Sequence, residues 1–189
     1  MYEESLRASR VVALPIEVGG VTAPLAGAVT YPEPVRGDGD GFVFSGGRHY
    51  WGLHGAAGLL LLAIRPDGTP AVLLQHRAPW SHQGGTWALP GGARDSHETV
   101  EQAALREAHE EAGLAEHMVT VRTTVVTATA PDGSWTYTTV IADAPAMLDT
   151  VPNRESSELR WVAIDEVTAL PLHPGFAASW DELRSVLLD

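Results

Sequence analysis

The sequence predicts an α/β fold, and three observations support that prediction. Segments typical of β-strands outnumber segments typical of helices. Two segments have helical features, residues 99–113 and residues 174–188, and they lie on either side of the last strands along the chain. At 189 residues the chain is long enough to bury a substantial core. We therefore expect one domain without internal repeats.

The charge composition excludes several classes of function. The formal net charge is −12, and all twelve basic residues are Arg, because the chain has no Lys. A duplex-binding protein usually carries a basic face, so a nucleic-acid polymer is not expected as a partner. The absence of Lys excludes a lysine base and Schiff-base chemistry. The absence of Cys excludes disulfides and thiolate metal sites.

No segment of the sequence predicts a membrane span. The longest apolar run covers residues 56–64, whereas a helix needs about 20 apolar residues to cross a bilayer. The N-terminus carries Glu3 and Glu4 where a signal peptide would carry positive charge. We expect a cytoplasmic protein without membrane contact.

Residues 1–50 are predicted to form an N-terminal extension, and residues 51–189 the main domain. Short β-like runs between residues 11 and 29 are interrupted by Pro and Gly. A hairpin is predicted near the end of the extension, with its strands at 42–44 and 49–51. The extension is expected to cover either a sheet edge or a partner subunit, and the second arrangement would make a homodimer.

The main domain is predicted to begin with two buried strands. Residues 58–64 and 71–76 are continuous apolar runs without alternation, which is typical of strands covered on both faces. The turn residues at 66–69 separate them. Residues 76–85 then form a polar loop.

The second half of the chain is predicted to add three strands and a terminal helix. Residues 119–130 and 135–142 are rich in Val and Thr, and turn residues between them predict that the chain returns as a second strand. Asp165 is predicted to cap a short helical segment. The remaining predicted elements are a polar loop at 147–157, a strand at 159–164 and the helix at 174–188.

The segment from Gly92 to Leu114 carries the strongest chemical signal. Thr99 is a suitable helix N-cap, and Gln102, three residues later, completes a capping box. Gly113 is a suitable C-cap. Acidic residues crowd the N-terminus of this helix, where the macrodipole favours negative charge. The segment is therefore predicted to be a loop followed by one helix.

Three Glu side chains share one face of this predicted helix. At about 100° per residue, Glu107, Glu110 and Glu111 fall within an arc of roughly 100°. Their charges repel one another unless a cation lies among them, and Mg²⁺ prefers oxygen ligands of this kind. Arg106 can orient one carboxylate, but one guanidinium cannot neutralise three. The alternative is a solvated acidic helix face without a metal.

The spacing of these residues resembles the signature of the Nudix hydrolases. That signature, called the box below, has a Gly, five residues, a Glu, seven residues, and then R-E-U-x-E-E-x-G-U, where U is a bulky aliphatic residue. Gly92, Glu98 and residues 106–114 match its fixed positions, although Ala108 is smaller than the usual aliphatic residue. The residues before the signature, Trp87 to Gly92, read W-A-L-P-G-G and also resemble the family's usual lead-in.

The resemblance implies an α/β/α sandwich with a mixed β-sheet. It also implies an enzyme that hydrolyses phosphoric anhydride bonds in a nucleoside diphosphate linked to another group. The implied cofactor is a divalent cation, Mg²⁺ or Mn²⁺. The implied metal ligands are the carboxylates of Glu107, Glu110 and Glu111 and the backbone carbonyl of Gly91.

The resemblance assigns supporting roles to further charged residues. Glu98 is expected to support the site near the helix N-terminus, and Arg106 to orient the carboxylates. The catalytic base varies across the family and is either a box glutamate or an acid from a later loop. Glu155 is our loop candidate, with Glu158 in reserve.

The loop at 76–85 supplies most of the candidate substrate-binding residues. Arg77 ends its strand as a fixed positive charge, which suits a phosphate through bidentate hydrogen bonds. In MutT-like Nudix proteins an arginine in this place commonly faces the nucleotide phosphates. The alternative is a surface ion pair with an acidic neighbour. The candidates for contacting the base are Trp80, Trp135, His82, Gln83 and Asn153.

The substrate is predicted by resemblance alone. The stretches Q-H-R, G-T-W-A-L-P-G-G and L-P-L-H-P-G-F resemble actinobacterial MutT-like proteins, which implies hydrolysis of 8-oxo-dGTP or 8-oxo-GTP to a monophosphate and pyrophosphate. ADP-ribose is the alternative, because Pro131 lies close to where enzymes for ADP-ribose place a proline after the box. A third interpretation is a non-catalytic Nudix-like module that binds a nucleotide as an effector. The presence of every box glutamate argues against it.

Overall fold

The computed structural model describes residues 37–188, and residues 36–189 form one compact unit. The β-like runs predicted between residues 11 and 29 lie outside the described residues. No helix in the described part of the chain is long and apolar enough to cross a membrane. The domain boundary at residue 50 stays a prediction.

A two-stranded hairpin precedes the main sheet. Strands β1 (Phe42–Ser45) and β2 (Arg48–Trp51) pair in antiparallel fashion, which confirms the predicted hairpin. The Tyr50 and Trp135 ring centroids are 4.9 Å apart, and the Trp135 indole N–H donates to the Trp51 carbonyl at 2.9 Å. Trp135 is buried in this contact. Its ring therefore packs the hairpin onto the domain and is not exposed for stacking on a base.

A mixed sheet of seven strands is the centre of the fold. The strands are β3 (Ala56–Ile64), β4 (Pro70–Arg77), β5 (Trp87–Ala88), β6 (Gly91–Ala93), β7 (Thr120–Thr129), β8 (Thr136–Asp143) and β9 (Ser156–Ala163). Their order along the main path is β5-β4-β3-β8-β7, while β6 pairs with β3 and β9 pairs with β4. The β3–β8 pair is parallel and the other pairs are antiparallel.

Two helices cover the sheet, one on each face. Because neighbouring side chains of a strand point to opposite faces, Leu59 and Leu61 pack in the cluster that includes helix α1 (Val100–Ala112), and Leu60 packs in the cluster that includes α2 (Pro174–Leu188). Each fully buried side chain of this kind contributes roughly 1.5–3 kcal/mol. The structure thus confirms the α/β/α sandwich, the mixed sheet and the double-sided burial of β3.

Strand β9 begins earlier than the sequence predicted. The polar loop was expected to reach residue 157, yet Ser156 already pairs with Arg77 of β4. A register irregularity between His76 and Arg77 lets the pairing continue past the regular ladder. Such long-range pairing is invisible in local composition. It also carries the residues just before β9 towards the end of β4.

The cap predicted at Asp165 is wrong. The short helical segment is a 3₁₀ turn over Ile164–Ala169, and its N-cap residue is Ala163, which makes no side-chain cap. Asp165 lies inside the turn and accepts a hydrogen bond from Arg184 of α2 at 2.7 Å. The two shortest strands, β5 and β6, were not predicted, because two or three residues carry no periodicity.

The absence of a side chain at Gly58 leaves room for the Tyr137 hydroxyl, so a substitution at Gly58 is expected to change stability. A Cβ on Gly58 would clash with the Tyr137 hydroxyl and stand 3.2 Å from the Pro90 carbonyl oxygen. We expect Gly58→Ala to lower the free energy of unfolding by about 1–3 kcal/mol, because the site has no room for a methyl group. Thermal unfolding followed by circular dichroism measures this loss.

The double variant Gly58→Ala with Tyr137→Phe is the control for this prediction. It removes the hydroxyl that stands nearest to the new methyl group, so it should recover part of the lost Tm. An unchanged Tm in Gly58→Ala alone would mean that the sheet relaxes around the added atom.

Candidate active site

Helix α1 carries the candidate carboxylates, and its ends are fixed as predicted. The Thr99 hydroxyl accepts a hydrogen bond from the Gln102 N–H at 3.2 Å, and the Gln102 side chain accepts one from the Thr99 N–H at 2.9 Å. Gly113 adopts a left-handed φ of 71°, and its N–H donates to the carbonyls of Ala108 and His109. These caps determine where the helix starts and stops relative to the sheet.

Small side chains let α1 lie close to the sheet. Helix α1 contacts strands β3 and β6. A helix can approach its neighbour closely only where its side chains are short, and here the alanines provide that surface. Ala108 belongs to it, so the departure from the bulky aliphatic residue of the signature affects packing and not chemistry. The buried alanines of α1 are Ala103, Ala104, Ala108 and Ala112.

Arg106 joins the helix to the loop before it. Its Nε and Nη2 donate to the two carboxylate oxygens of Glu98 at 2.6 and 2.9 Å, and Nη2 also donates to the Ala93 carbonyl at 2.9 Å. Its Nη1 donates to Glu107 at 2.8 Å. The hydrogen bond from Arg106 lowers the pKa of Glu98. Arg106 therefore holds Glu98 as an anion and fixes β6 against the helix.

Glu107 and Glu111 are the most desolvated carboxylates of the helix. The Glu107 side chain is 16% exposed, and Glu111 is 4% exposed and accepts a hydrogen bond from the Gly91 N–H at 2.8 Å. Burial raises the pKa of Glu107 to about 7 and the pKa of Glu111 to about 8. The negative charge of Glu155 raises both pKa values further. The two carboxylates thus lie in a region that disfavours bare negative charge.

Strand β6 meets these carboxylates with two glycines. A Cβ on Gly92 would stand 2.6 Å from a Glu107 carboxylate oxygen, so a side chain here would displace the Glu107 carboxylate from its position. The Ala93 carbonyl accepts from Arg106 and the Gly91 N–H donates to Glu111. Since alternate residues of a strand direct their backbone groups to the same edge, the Gly91 carbonyl also faces the edge next to α1.

The structure also places Glu110 and Glu155 beside this cluster. Glu110 is 44% exposed, and its carboxylate oxygen lies 3.6 Å from the Arg106 guanidinium. Glu155 comes from the loop before β9, where its N–H donates to the Asn153 side chain at 2.8 Å and its carbonyl accepts from Ala78 at 2.9 Å. The predicted carboxylates are therefore brought to one place from two separated segments of the chain.

The residues present fit a hard divalent cation. The donor set consists of carboxylate and backbone oxygens, which Mg²⁺ and Mn²⁺ prefer. Arg106 is already shared between Glu98 and Glu107. Within residues 37–188, the one buried side-chain polar atom without a hydrogen-bond partner is Gln75 Oε1, on a side chain that contacts Glu111. Hydrated cations bring both positive charge and water donors, which this group of acceptors lacks.

The loop after β4 holds the predicted substrate-binding residues. Arg77 Nε donates to the His82 carbonyl at 3.0 Å, which folds the loop back over the end of the strand. No acidic side chain in the described part of the chain forms an ion pair with Arg77. Trp80 is 65% exposed, and His82 and Gln83 are exposed as well. The structure thus brings Arg77 and His82 together and leaves Trp80 and Gln83 on the open surface of the loop.

The comparison with protein families decides the classification. A family model of the NUDIX domain matches residues 53–182, and this range contains every residue of the candidate site. The chain belongs to the Nudix family. It is a Nudix hydrolase, as the resemblance of the box to the family signature predicted.

Two of the similar proteins come from mycobacteria. A Mycobacterium tuberculosis protein named "Putative 8-oxo-dGTP diphosphatase 3" is 71% identical over 159 residues, which cover 82% of this chain and 73% of the relative. The crystal structure of RenU, a Nudix hydrolase of M. smegmatis, is 69% identical with a TM-score of 0.77 and covers 79% of this chain and 96% of that one. A C. elegans Ap4A hydrolase complex, 20% identical with a TM-score of 0.58 over 70% of this chain and 98% of that one, shares the fold.

Two residues next to the carboxylates of this Nudix hydrolase were not predicted from the sequence. Gln75 is fully buried in β4, and its side chain lowers the pKa of Glu111 by hydrogen bonding, against the larger effect of burial. Burial and the negative charge of Glu111 raise the pKa of Tyr137, on β8. A glutamine inside an apolar strand was the one local signal for Gln75, and Tyr137 gave none.

A third residue, His173, lies beside the loop after β4. The His173 and His82 ring centroids are 6.4 Å apart. Burial and the positive charge of Arg77 lower the pKa of His173. Its Nδ1 accepts a hydrogen bond from the Gly175 N–H at 3.1 Å, so its other ring nitrogen carries the proton in the neutral form. The L-P-L-H-P-G-F stretch therefore contributes a neutral donor next to Arg77.

Asp38, Asp95 and His97 form a separate group outside the carboxylates of α1. In the part of the chain that the structure describes, their potential ligand atoms lie within 4.8 Å of one another. Asp38 already accepts hydrogen bonds from the Ser96 N–H and hydroxyl, and Asp95 accepts one from Gly39 at 2.8 Å. These bonds tie residues 37–41 to the box loop, which accounts for the acidic residues without a metal.

The raised pKa values predict a pH dependence of stability in the metal-free enzyme. Glu107 and Glu111 titrate at about 7 and about 8 in the folded state, compared with the ordinary value of 4.5. Between these values the folded state binds more protons than the unfolded state, so the free energy of unfolding falls as the pH rises. We expect Tm in the presence of a chelator to be lower at pH 8 than at pH 5.5, by on the order of 5 °C.

Matched Glu→Gln variants separate this effect from general titration. Glu111→Gln should flatten the dependence, because the amide carries no charge at either pH. Glu116→Gln, at an exposed position on the 3₁₀ turn Glu116–Met118, should keep the wild-type slope. A wild-type Tm that rises from pH 5.5 to pH 8 would contradict the burial of these two carboxylates.

Proposed function

We propose that this Nudix hydrolase cleaves a phosphoric anhydride bond of a nucleotide with Mg²⁺ or Mn²⁺ as cofactor. The observation that carries the proposal is the desolvation of Glu107 and Glu111 beside Gly91 and Gly92, with the negative charge of Glu155 near both carboxylates. Buried like charges are unfavourable unless a cation neutralises them. An anionic substrate would increase that repulsion, so the cation is needed for binding as well as for chemistry.

The chain offers four oxygen donors for this cation. A bound divalent cation supplies neutralisation of phosphate charge and polarises the bond to be broken. Glu98 is proposed to support the site without binding the cation, because Arg106 donates to both of its carboxylate oxygens. Arg106 in turn donates to Glu107 and orients it. The donors are the carboxylates of Glu107, Glu110 and Glu111 and the carbonyl of Gly91.

Glu155 is the proposed catalytic base. Its negative charge lies near enough to raise the pKa values of Glu107 and Glu111. From this position we propose that it accepts the proton of an attacking water. The reserve candidate, Glu158, pairs with Arg160 at 2.6 Å, which ties its carboxylate to its own strand. The position of Glu155 in a loop between Asn153 and β9 allows it to approach a substrate that lies over the cluster.

The loop after β4 is proposed to hold the nucleotide. Arg77 uses Nε for the His82 carbonyl, and its Nη groups extend beyond that bond, where they suit a phosphate. Trp80 offers an exposed ring for stacking, and His82 and Gln83 offer polar groups for the base edge. A nucleotide held this way would place its phosphates between Arg77 and the carboxylates.

The favoured substrates are 8-oxo-dGTP and 8-oxo-GTP, with a monophosphate and pyrophosphate as products. The support is the 71% identity to a relative whose name gives 8-oxo-dGTP as its substrate. Polar contacts to a base edge reject analogues that lack the matching groups more strongly than apolar contacts do. Four expectations from the sequence stay predictions. The partner is expected to be a small nucleotide, with no nucleic-acid polymer and no membrane as partners. The protein is expected to be cytoplasmic, and a homodimer is expected if the extension covers a partner subunit.

A nucleotide panel tests the proposed function. We expect kcat/KM to be highest for 8-oxo-dGTP or 8-oxo-GTP, lower for dGTP and lowest for ADP-ribose, with turnover abolished by a chelator. Pyrophosphate release, or monophosphate release for ADP-ribose, is followed by a coupled assay. Glu110→Gln is the matched control for contaminating hydrolases, because it removes one ligand charge at constant volume and should lose most of the activity.

Three outcomes of this panel would contradict different parts of the proposal. If ADP-ribose gives the highest kcat/KM, the substrate assignment is refuted, but the assignment of the carboxylate site is not affected. Equal turnover in chelator would refute the metal mechanism. Nucleotide binding without turnover of any compound, at any metal concentration, would indicate the non-catalytic module instead.

Arg77 provides a second test, which concerns binding alone. Arg77→Ala should raise KM by about tenfold, because charge-assisted hydrogen bonds to a phosphate contribute roughly 1.5–3 kcal/mol. Tm should change little, since no ion pair within residues 37–188 is lost. Arg184→Ala, which breaks the exposed pair with Asp165, is the matched control and should leave KM unchanged. A large fall in Tm at constant KM would make Arg77 a structural residue.

A further inference from the structure

Gln75 stands out as a polar side chain in the middle of the apolar core. It lies in β4 between Leu74 and His76, and its exposed fraction is 0%. Its Nε2 donates to the Ser156 hydroxyl at 2.8 Å, whereas its Oε1 has no hydrogen-bond partner. An unpaired buried acceptor costs about 1–3 kcal/mol. The fold would therefore be more stable with an apolar side chain at this position.

The hydrogen-bond partner of Gln75, Ser156, links it to Glu111. The Ser156 hydroxyl is 3.3 Å from the backbone carbonyl of Glu111, and the Asn153 N–H donates to the same carbonyl at 3.3 Å. Gln75 also lies close enough to the Glu111 carboxylate to lower its pKa by hydrogen bonding. The same carboxylate accepts a hydrogen bond from the Gly91 N–H at 2.8 Å. Gln75 and Ser156 thus form a bridge from strands β4 and β9 to the last turn of α1.

We propose that Gln75 is a positioning residue that holds the Glu111 carboxylate in the orientation needed to bind the divalent cation. Nε2 carries two hydrogens, and the bond to Ser156 uses one. In this proposal the second hydrogen serves the Glu111 carboxylate, while Ser156 anchors the amide to the backbone carbonyl of Glu111. With the Gly91 N–H, the amide holds the carboxylate from the strand side and leaves its remaining lone pairs for the metal. Groups that orient metal ligands in this way commonly change metal affinity by about 10–100-fold.

This inference rests on the proposed metal site, and it predicts opposite effects on stability and on metal binding. Gln75→Met keeps the length of the side chain and removes both polar atoms. In chelator, its Tm should equal or exceed that of the wild type, because an unpaired acceptor is removed. Its Mn²⁺ affinity without substrate, measured by electron paramagnetic resonance of free Mn²⁺, should fall at least tenfold. A role in folding alone would lower Tm and leave Mn²⁺ affinity unchanged.

Two further variants keep this test decisive. Ser156→Ala removes the anchor of the Gln75 amide and should weaken Mn²⁺ binding in the same direction, even where Gln75→Met fails to fold. Thr139→Val is the matched control, because it also removes a buried polar group but its hydroxyl contacts Thr127 on β7. It should leave Mn²⁺ affinity unchanged.

The outcomes separate this inference from the proposed function. Failure of the wild type to bind Mn²⁺ would overturn the metal site and the role of Gln75 together. Normal Mn²⁺ binding by the wild type, with equal affinity in Gln75→Met, would overturn the role of Gln75 and leave the metal site standing. Equal weakening in Thr139→Val would show a general response of the core and would also overturn it.

Discussion

The close approach of two desolvated carboxylates to a strand that begins with two glycines is the constraint on which the site depends. Glu107 lies close to where a Cβ on Gly92 would stand, and Glu111 accepts a hydrogen bond from the Gly91 N–H. Arg106 holds the same strand through the Ala93 carbonyl, so the approach is fixed from both sides. Desolvation at this edge makes the carboxylates poor isolated anions and good ligands for a cation, because both properties follow from their lack of water.

The packing of α1 on the sheet maintains the approach of Glu107 and Glu111 to β6. The alanines on the inner face of α1 allow the helix to pack directly on β3, and its caps fix the turn from which each glutamate extends. On the other face of the sheet, α2 buries larger side chains, including Trp180 and Leu183. Both layers bury core side chains and contribute to stability. The short side chains of the α1 layer also bring its glutamates close to the sheet.

Local signals in the sequence were sufficient for most elements of the fold. The capping box at Thr99, the C-cap at Gly113 and the hairpin from Phe42 to Trp51 all depend on residues close in sequence, and the structure has each of them. Gln75 and Tyr137 could not be placed, because their positions depend on pairing between β4 and β9 and between β3 and β8. The same holds for the early start of β9, which follows from a register irregularity that composition does not encode.

Negative and positive charges lie in different parts of the site. Carboxylates line the wall formed by α1 and the loop before β9, while Arg77, with His82 and His173 beside it, lies at the end of β4. The chain has a net charge of −12 and no Lys. Arg77 forms no ion pair with an acidic side chain within residues 37–188, so its positive charge can attract an anion. In the proposed binding mode, a nucleotide polyphosphate that contacts Arg77 places its other phosphates near the acidic wall. This distribution of charge supports the proposed anionic substrate and the proposed cation that would join it to the carboxylates.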